Sequence, residues 1–319
     1  FSNMPTGTFA PDADFYQVMI DFGPEQQPFH IGRASVAVPG VVAGLCAMAA
    51  EYGTLPLNAL LEPAIRIAHE GAPLTAAQEY AYSILQPIFQ ATPEIAQMYS
   101  PNGRRYQTGD RMTFPALGRT LARLAKEGPD YYYRGELGQA IIADQQAHGG
   151  LLTAEDLAAY EVIQLPPIPV DYRGYTVMLP PPSSSGGVLV AFALKLLAAV
   201  GMAGLDRNGP EHLRTLCEVM RLTNVARGDW EEHDGPLDDR IAWFLSPEHV
   251  AGYRRQLTHI LQGAAAPIEP SFAPGPNDTT HISVVDQAGL LVIVTTSAGD
   301  NAGFVIGDTG ICLNNMLGE

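Results

Sequence analysis

The sequence predicts a mixed α+β fold whose strands pair antiparallel. Three observations carry that expectation. Several stretches repeat their apolar residues at three and four, the period of a half-buried helix. Two strand-like runs, Thr279–Val285 and Leu290–Ser297, flank Gln287-Ala288-Gly289, a three-residue hairpin loop with Gly at its left-handed position. The chain is 46% hydrophobic and 16% charged, the balance of a globular protein and not of a disordered one.

Its 319 residues are enough for one large or two modest domains. Lys and Arg number 18 against 34 Asp and Glu, a formal charge of −16 with no basic patch, which argues against nucleic acid and anionic membranes as partners. No apolar run reaches the ~20 residues of a membrane span. No leader is legible before Phe1, and the compartment is left open. Cys46, Cys217 and Cys312 lack metal-ligand spacing and read as buried free thiols.

Taken in order, Ala34–Val38 reads as a strand stopped by Pro39-Gly40. A helix follows to about Tyr52, with Gly53 as its stop and with Gly40 and Gly44 expected to allow close packing. Leu60, Leu61, Ala64, Ile65 and Ala68 mark a second helix ending at Gly71. Helices joined by a polar stretch, Tyr99 to Arg111, run on to Glu127, and Leu117, Leu121, Leu124 and Ala125 share one face. Gly128–Gly135 is a turn with three tyrosines at a packed helix start. Thr153 three residues before Asp156 forms a capping box with Asp in place of Glu. Asp171–Val177 reads as a strand pair with a tight turn.

Pro180–Gly187 precedes an apolar helix from Val188 to Val200, and its Ser and Gly amides suit either an anion site or a rigid, closely packed turn. Glu211–Ala226 is a helix with Leu213, Leu216, Val219, Met220 and Thr223 on one side. Arg227-Gly228-Asp229-Trp230 follows, then Glu231-Glu232-His233-Asp234 as a solvated acidic loop whose consecutive side chains do not converge on a metal. Gly263–Pro276, with Pro267, Pro270, Pro274 and Pro276, reads as a flexible tether.

The hairpin loop pairs Asp286 with Leu290, so paired numbers sum to 576 and Ser297 falls opposite Thr279. A Thr hydroxyl is a weak nucleophile until a base takes its proton, and a free α-amine on the same residue is one such base. That amine exists only if the Asp278–Thr279 bond breaks first. Read alone, the same letters are also an ordinary strand of β-branched residues.

The stretch Asn277-Asp278-Thr279-Thr280-His281-Ile282-Ser283-Val284-Val285-Asp286 resembles the processing site of the γ-glutamyltranspeptidase family, whose members are N-terminal-nucleophile (Ntn) hydrolases. Further blocks resemble the family along nearly all of the chain: Val38-Pro39-Gly40, Gly128–Gly135, Gly149–Leu157, Pro180–Gly187 and Thr309–Asn315. The resemblance implies an αββα sandwich and self-cleavage at Asp278–Thr279. It divides the chain into a large-subunit-like part, 1–278, and the start of a small-subunit-like part, 279–319, together one domain. It makes Thr279 the nucleophile, with Ser297 orienting it and Thr280 and His281 shaping the cleft.

For substrate binding the resemblance points to Ser2, Gly299, Asp300, Asn301 and Glu319, although Ser2, Gly299, Met316 and Glu319 depart from the family's residues. Oxyanion donors are expected beyond Glu319. The implied partners are a small γ-glutamyl or other acyl amide and a water or amine acceptor; no cofactor or metal is implied, and a homo-oligomer is left open. The alternatives are a related acylase on a non-glutamyl substrate and an inactive homologue or fragment with a scaffold role.

Overall fold

The computed structural model describes residues 3–23, 25–182, 184–198, 200–202, 204–264 and 280–318. They fall into two compact units, one within Ile163–Ala273 and the other within Ser2–Val162 and Pro274–Glu319. The expected tether, Gly263–Pro276, lies mostly outside the described residues.

The larger unit begins with β1 (Tyr16–Asp21) and β2 (Gln26–Ile31), an antiparallel pair. Then come α1 (Val41–Tyr52), α2 (Leu57–Glu70), β3 (Ala72–Pro73), α3 (Ala76–Ile84), α4 (Gln86–Phe89), α5 (Pro93–Tyr99) and β4 (Arg111–Met112). Next are α6 (Pro115–Glu127), α7 (Asp130–Tyr133), α8 (Glu136–Ala147) and α9 (Ala154–Ala158).

The helix ends at Tyr52 and Glu70 lie where Gly53 and Gly71 place them. The strand expected at Ala34–Val38 is not formed. Arg33–Ser35 is a 3-10 turn, because Asp14 draws in the Arg33 N–H (2.9 Å, side chain) and the Ala34 N–H (3.0 Å, backbone). Only Val38 bridges, to Asn3. Gly40 does allow close packing, since a Cβ there would lie 2.1 Å from the Tyr160 hydroxyl oxygen; Gly44 faces open space.

Tyr131, Tyr132 and Tyr133 are buried in a core with Val36, Leu137, Ile141, Leu157 and Phe304, so the tyrosine cluster is a packed helix start. The Tyr133 hydroxyl donates to Pro39 O (2.8 Å) and accepts the Ala43 N–H (3.1 Å); burial pushes its pKa up to about 12. Both halves of the Thr153–Asp156 capping box are present at α9. Asp156 also accepts the Thr6 N–H at 3.0 Å, tying the chain's start to this helix.

In the smaller unit, β5 (Ile168–Tyr172) pairs with β6 (Tyr175–Leu179) across Arg173 and Gly174, both at positive φ, as a two-residue hairpin turn requires. α10 (Ser185–Ala198) starts three residues before the expected Val188. A Cβ on Gly187 would lie 1.8 Å from Pro180 O, so this turn is closely packed.

α11 (Pro210–Glu232) is longer than expected, and it absorbs Arg227–Trp230 and two members of the acidic loop, Glu231 and Glu232. Trp230 is buried among Phe192 and Phe244, which extends the helix past its apparent polar end. Its inner face is Val219, Leu222, Thr223, Ala226 and Trp230, while Leu213 and Met220, expected there, are exposed. α12 (Leu237–Phe244) and α13 (Pro247–His259) complete the core. All three cysteines are free, but they are not the buried thiols expected: Cys217 is exposed and Cys46 and Cys312 are half-buried.

Candidate active site

The strands around the candidate nucleophile are β7 (Thr280–Val285) and β8 (Leu291–Thr296), paired antiparallel from Val285↔Leu291 to Thr280↔Thr296. Every pair sums to 576, the register that the Gln-Ala-Gly loop predicts. The loop is closed by Asp286 N–H to Leu290 O (3.0 Å) and by the Asp286 side chain accepting the Leu290 N–H (2.9 Å), with Gly289 at φ 87°. Strand side chains alternate, so His281, Ser283 and Thr295 share one face and Thr280, Ile282, Val294 and Thr296 the other.

Ser297 follows β8, and its Oγ accepts the Gly299 N–H at 3.0 Å. Asp278, Thr279, Ser2 and Glu319 lie outside the described residues. On the shared face His281 joins two hydroxyls, with Nδ1 2.8 Å from Thr295 Oγ1 and Nε2 3.1 Å from Ser283 Oγ. Sequence reasoning missed Thr295 and Ser283. Their even spacing from Ser297 and His281 was the available signal.

The turn after Ser297 is held from below. β9 (Val305–Ile306) pairs with β10 (Ile311–Cys312), which leads into Asn314 and Asn315. Asn315 is fully buried: its Oδ1 accepts the Asp300 N–H (2.8 Å), its Nδ2 donates to His30 O (3.3 Å), and its own N–H donates to Ala298 O (3.2 Å). Asn314 reads Ala37 like a neighbouring strand, accepting its N–H (3.0 Å) and donating to its carbonyl (2.9 Å).

Of the predicted substrate-binding residues, Asp300 is buried at 7% exposure, while Gly299 and Asn301 are half-buried and both at positive φ. Asn301 Oδ1 accepts the Gly303 N–H at 2.9 Å. Burial pushes the nearby Cys312 thiol up in pKa, opposed by a hydrogen bond with Asn301.

A cavity of about 770 Å³ opens beside Ala43, Cys46, Ala50, Leu55, Tyr133 and Tyr160, and no hairpin residue lines it. Among the described residues no group of three or more His, Cys, Asp or Glu is placed to hold a metal ion, and no helix is long and apolar enough to cross a membrane.

The family model for gamma-glutamyltranspeptidase matches residues 9–319. The glutathione hydrolase proenzyme of Escherichia coli is 30% identical over 310 residues, covering 93% of this chain and 52% of that protein. An acylase ACY 1 proenzyme from a Pseudomonas strain is 30% identical over 322 residues, covering 99% of this chain and 57% of that protein. The chain spans about half the length of the curated relatives it matches. Among solved structures, the cephalosporin acylase of Bacillus halodurans superposes with a TM-score of 0.69 at 26% identity, over 98% of this chain and 62% of that one. The α+β architecture is thus that of the Ntn-hydrolases.

Proposed function

The chain belongs to the γ-glutamyltranspeptidase family, and from that premise we propose that it is a self-cleaving Ntn-hydrolase that attacks γ-glutamyl amides of the glutathione type through Thr279. The observation that carries this reading is the hairpin register, which ends its described pairs at Thr280↔Thr296 and so supports Ser297 as the partner of position 279.

Self-cleavage starts with attack of Thr279 Oγ1 on the Asp278 carbonyl carbon. The Asp278–Thr279 C–N bond breaks, the departing nitrogen takes up the proton that the hydroxyl gives up, and an ester forms in place of the amide. Water opens the ester, leaving a carboxylate on Asp278 and a free α-amine on Thr279. Residues 1–278 and 279–319 then belong to separate polypeptides. An α-amine has a pKa of about 7.7–8.0 in model peptides, so near neutral pH a share of it is unprotonated and takes the hydroxyl proton.

In turnover the Thr279 oxygen bonds to the acyl carbon of the substrate, and the amide nitrogen leaves with the proton that the amine held. The acyl-enzyme ester is then released to water or to an amine. Ser297 orients the Thr279 hydroxyl or amine, and Gly299, Asp300 and Asn301, with Ser2 and Glu319, surround the substrate.

A second reading, an acylase acting on a non-glutamyl side chain, is favoured by the acylase ACY 1 and cephalosporin acylase matches, which extend over 99% and 98% of this chain. Thr279→Ala is expected to lose both cutting and turnover, and retained turnover removes Thr279 as nucleophile. A panel of γ-glutamyl and other acyl anilides then separates the two substrate readings.

A further inference from the structure

His281 bridges two hydroxyls on the face of the hairpin that carries the candidate site. Its Nδ1 reaches across the ladder to Thr295 Oγ1 at 2.8 Å, and its Nε2 lies 3.1 Å from Ser283 Oγ on its own strand. Thr295 precedes Ser297 by two residues, the spacing of one strand face, and Ser297, just past β8, turns its Oγ to accept the Gly299 N–H at 3.0 Å. We propose that His281 is a positioning residue, which acts through Thr295 to fix the row of hydroxyls beside Ser297. The role rests on the assignment of Thr279 as nucleophile.

The hydrogen bonds give His281 this role and withhold another. A neutral imidazole has one N–H donor and one bare nitrogen, and a hydroxyl can serve either. Ser283 and Thr295 therefore satisfy both ring nitrogens in either tautomer. To take a proton from a third hydroxyl the ring would first have to release one of them. Orientation is what the geometry supports, and in turnover, once the chain is cut, the base is the freed amine of Thr279. Thr suits position 295, because its branched Cβ leaves few χ1 wells and the bond to His281 selects one of them. Directly opposed residues have Cβ atoms about 4.5–5.5 Å apart, a gap that a polar atom two bonds beyond Cβ, such as Nδ1, spans and an Ala methyl does not.

The test follows self-cleavage of the full chain by intact mass against time, with the thermal midpoint of each variant as a folding control. Loss of one orienting hydrogen bond is expected to slow cleavage by His281→Ala on the order of tenfold. His281→Asn places an amide where Nδ1 lies and recovers most of the rate, whereas His281→Gln, whose amide extends toward Ser283, does not. Thr295→Val slows cleavage as much as His281→Ala, and the double variant is no slower than either single one. The pH at which the rate is half-maximal is unchanged in every variant.

Equal rates for the Asn, Gln and Ala variants, additive losses in the double variant, or a displaced pH midpoint would each overturn the role. A wild-type chain that cleaves while His281→Ala cleaves equally fast removes this role alone. A wild-type chain that never cleaves removes the nucleophile assignment, and the role with it.

Discussion

Thr280 stands directly opposite Thr296 at the last described rung of the β7–β8 ladder. We propose that the register carries one residue on, which would set Ser297 against Thr279. Ser297→Ala is therefore expected to lower kcat on the order of tenfold with little change in KM, the cost of an orienting hydrogen bond. Ser297→Thr keeps a hydroxyl at that place and is expected to retain most of the rate. Steady-state kinetics on an acyl anilide check both, and an unchanged kcat in Ser297→Ala would separate Ser297 from the chemistry.

Asn315 is the support beneath the turn that follows Ser297. Replacing it by Leu leaves the Asp300 N–H and the His30 carbonyl without their partner, and each unsatisfied buried group costs about 1–3 kcal/mol. Asn315→Leu is expected to lower stability by roughly 2–5 kcal/mol, read from urea unfolding, and to lower turnover through the displaced Ser297 turn. A stable variant with normal turnover would show that Asn315 does not brace the site.

Much of this arrangement was legible because it is set by local chemistry. Gly289 and a three-residue loop decide the register, and register decides which side chains meet. The cap at Thr153 is likewise local. What the sequence hid was set by distant partners. Ala34 and Ser35 have strand neighbours in sequence, but Asp14 and Gly32 hold them in a 3-10 turn. Glu231 and Glu232 read as loop, yet burial of Trp230 carries α11 through them. The His281 bridge needed side-chain directions across the ladder as well as the pairing itself.

In the smaller unit, Asp229 Oδ2 accepts the Tyr253 hydroxyl at 2.6 Å and faces His249 Nε2 at 3.0 Å, locking α11 to α13. The Tyr253 hydrogen bond holds the Asp229 carboxyl below the usual carboxylate range; burial opposes the shift, and His249 adds to it. A depressed carboxylate contributes stability above its unfolded pKa of about 3.9 and loses it as pH falls through the folded value. The stability gap between wild type and Asp229→Asn is therefore expected to shrink between about pH 7 and about pH 3, modestly, because the side chain is 44% exposed. Tyr253→Phe is expected to cost about 1 kcal/mol and to weaken the same pH dependence. Urea unfolding across that range tests both, and a gap that widens toward acid would reverse the assignment.

The central claim is that residue 279 becomes a chain terminus and works with its own amine. Denaturing mass spectrometry of a catalytically active preparation tests it most directly. The expected result is two polypeptides, the second starting Thr279-Thr280-His281. An active preparation in which the bond between Asp278 and Thr279 stays intact in every molecule would contradict it.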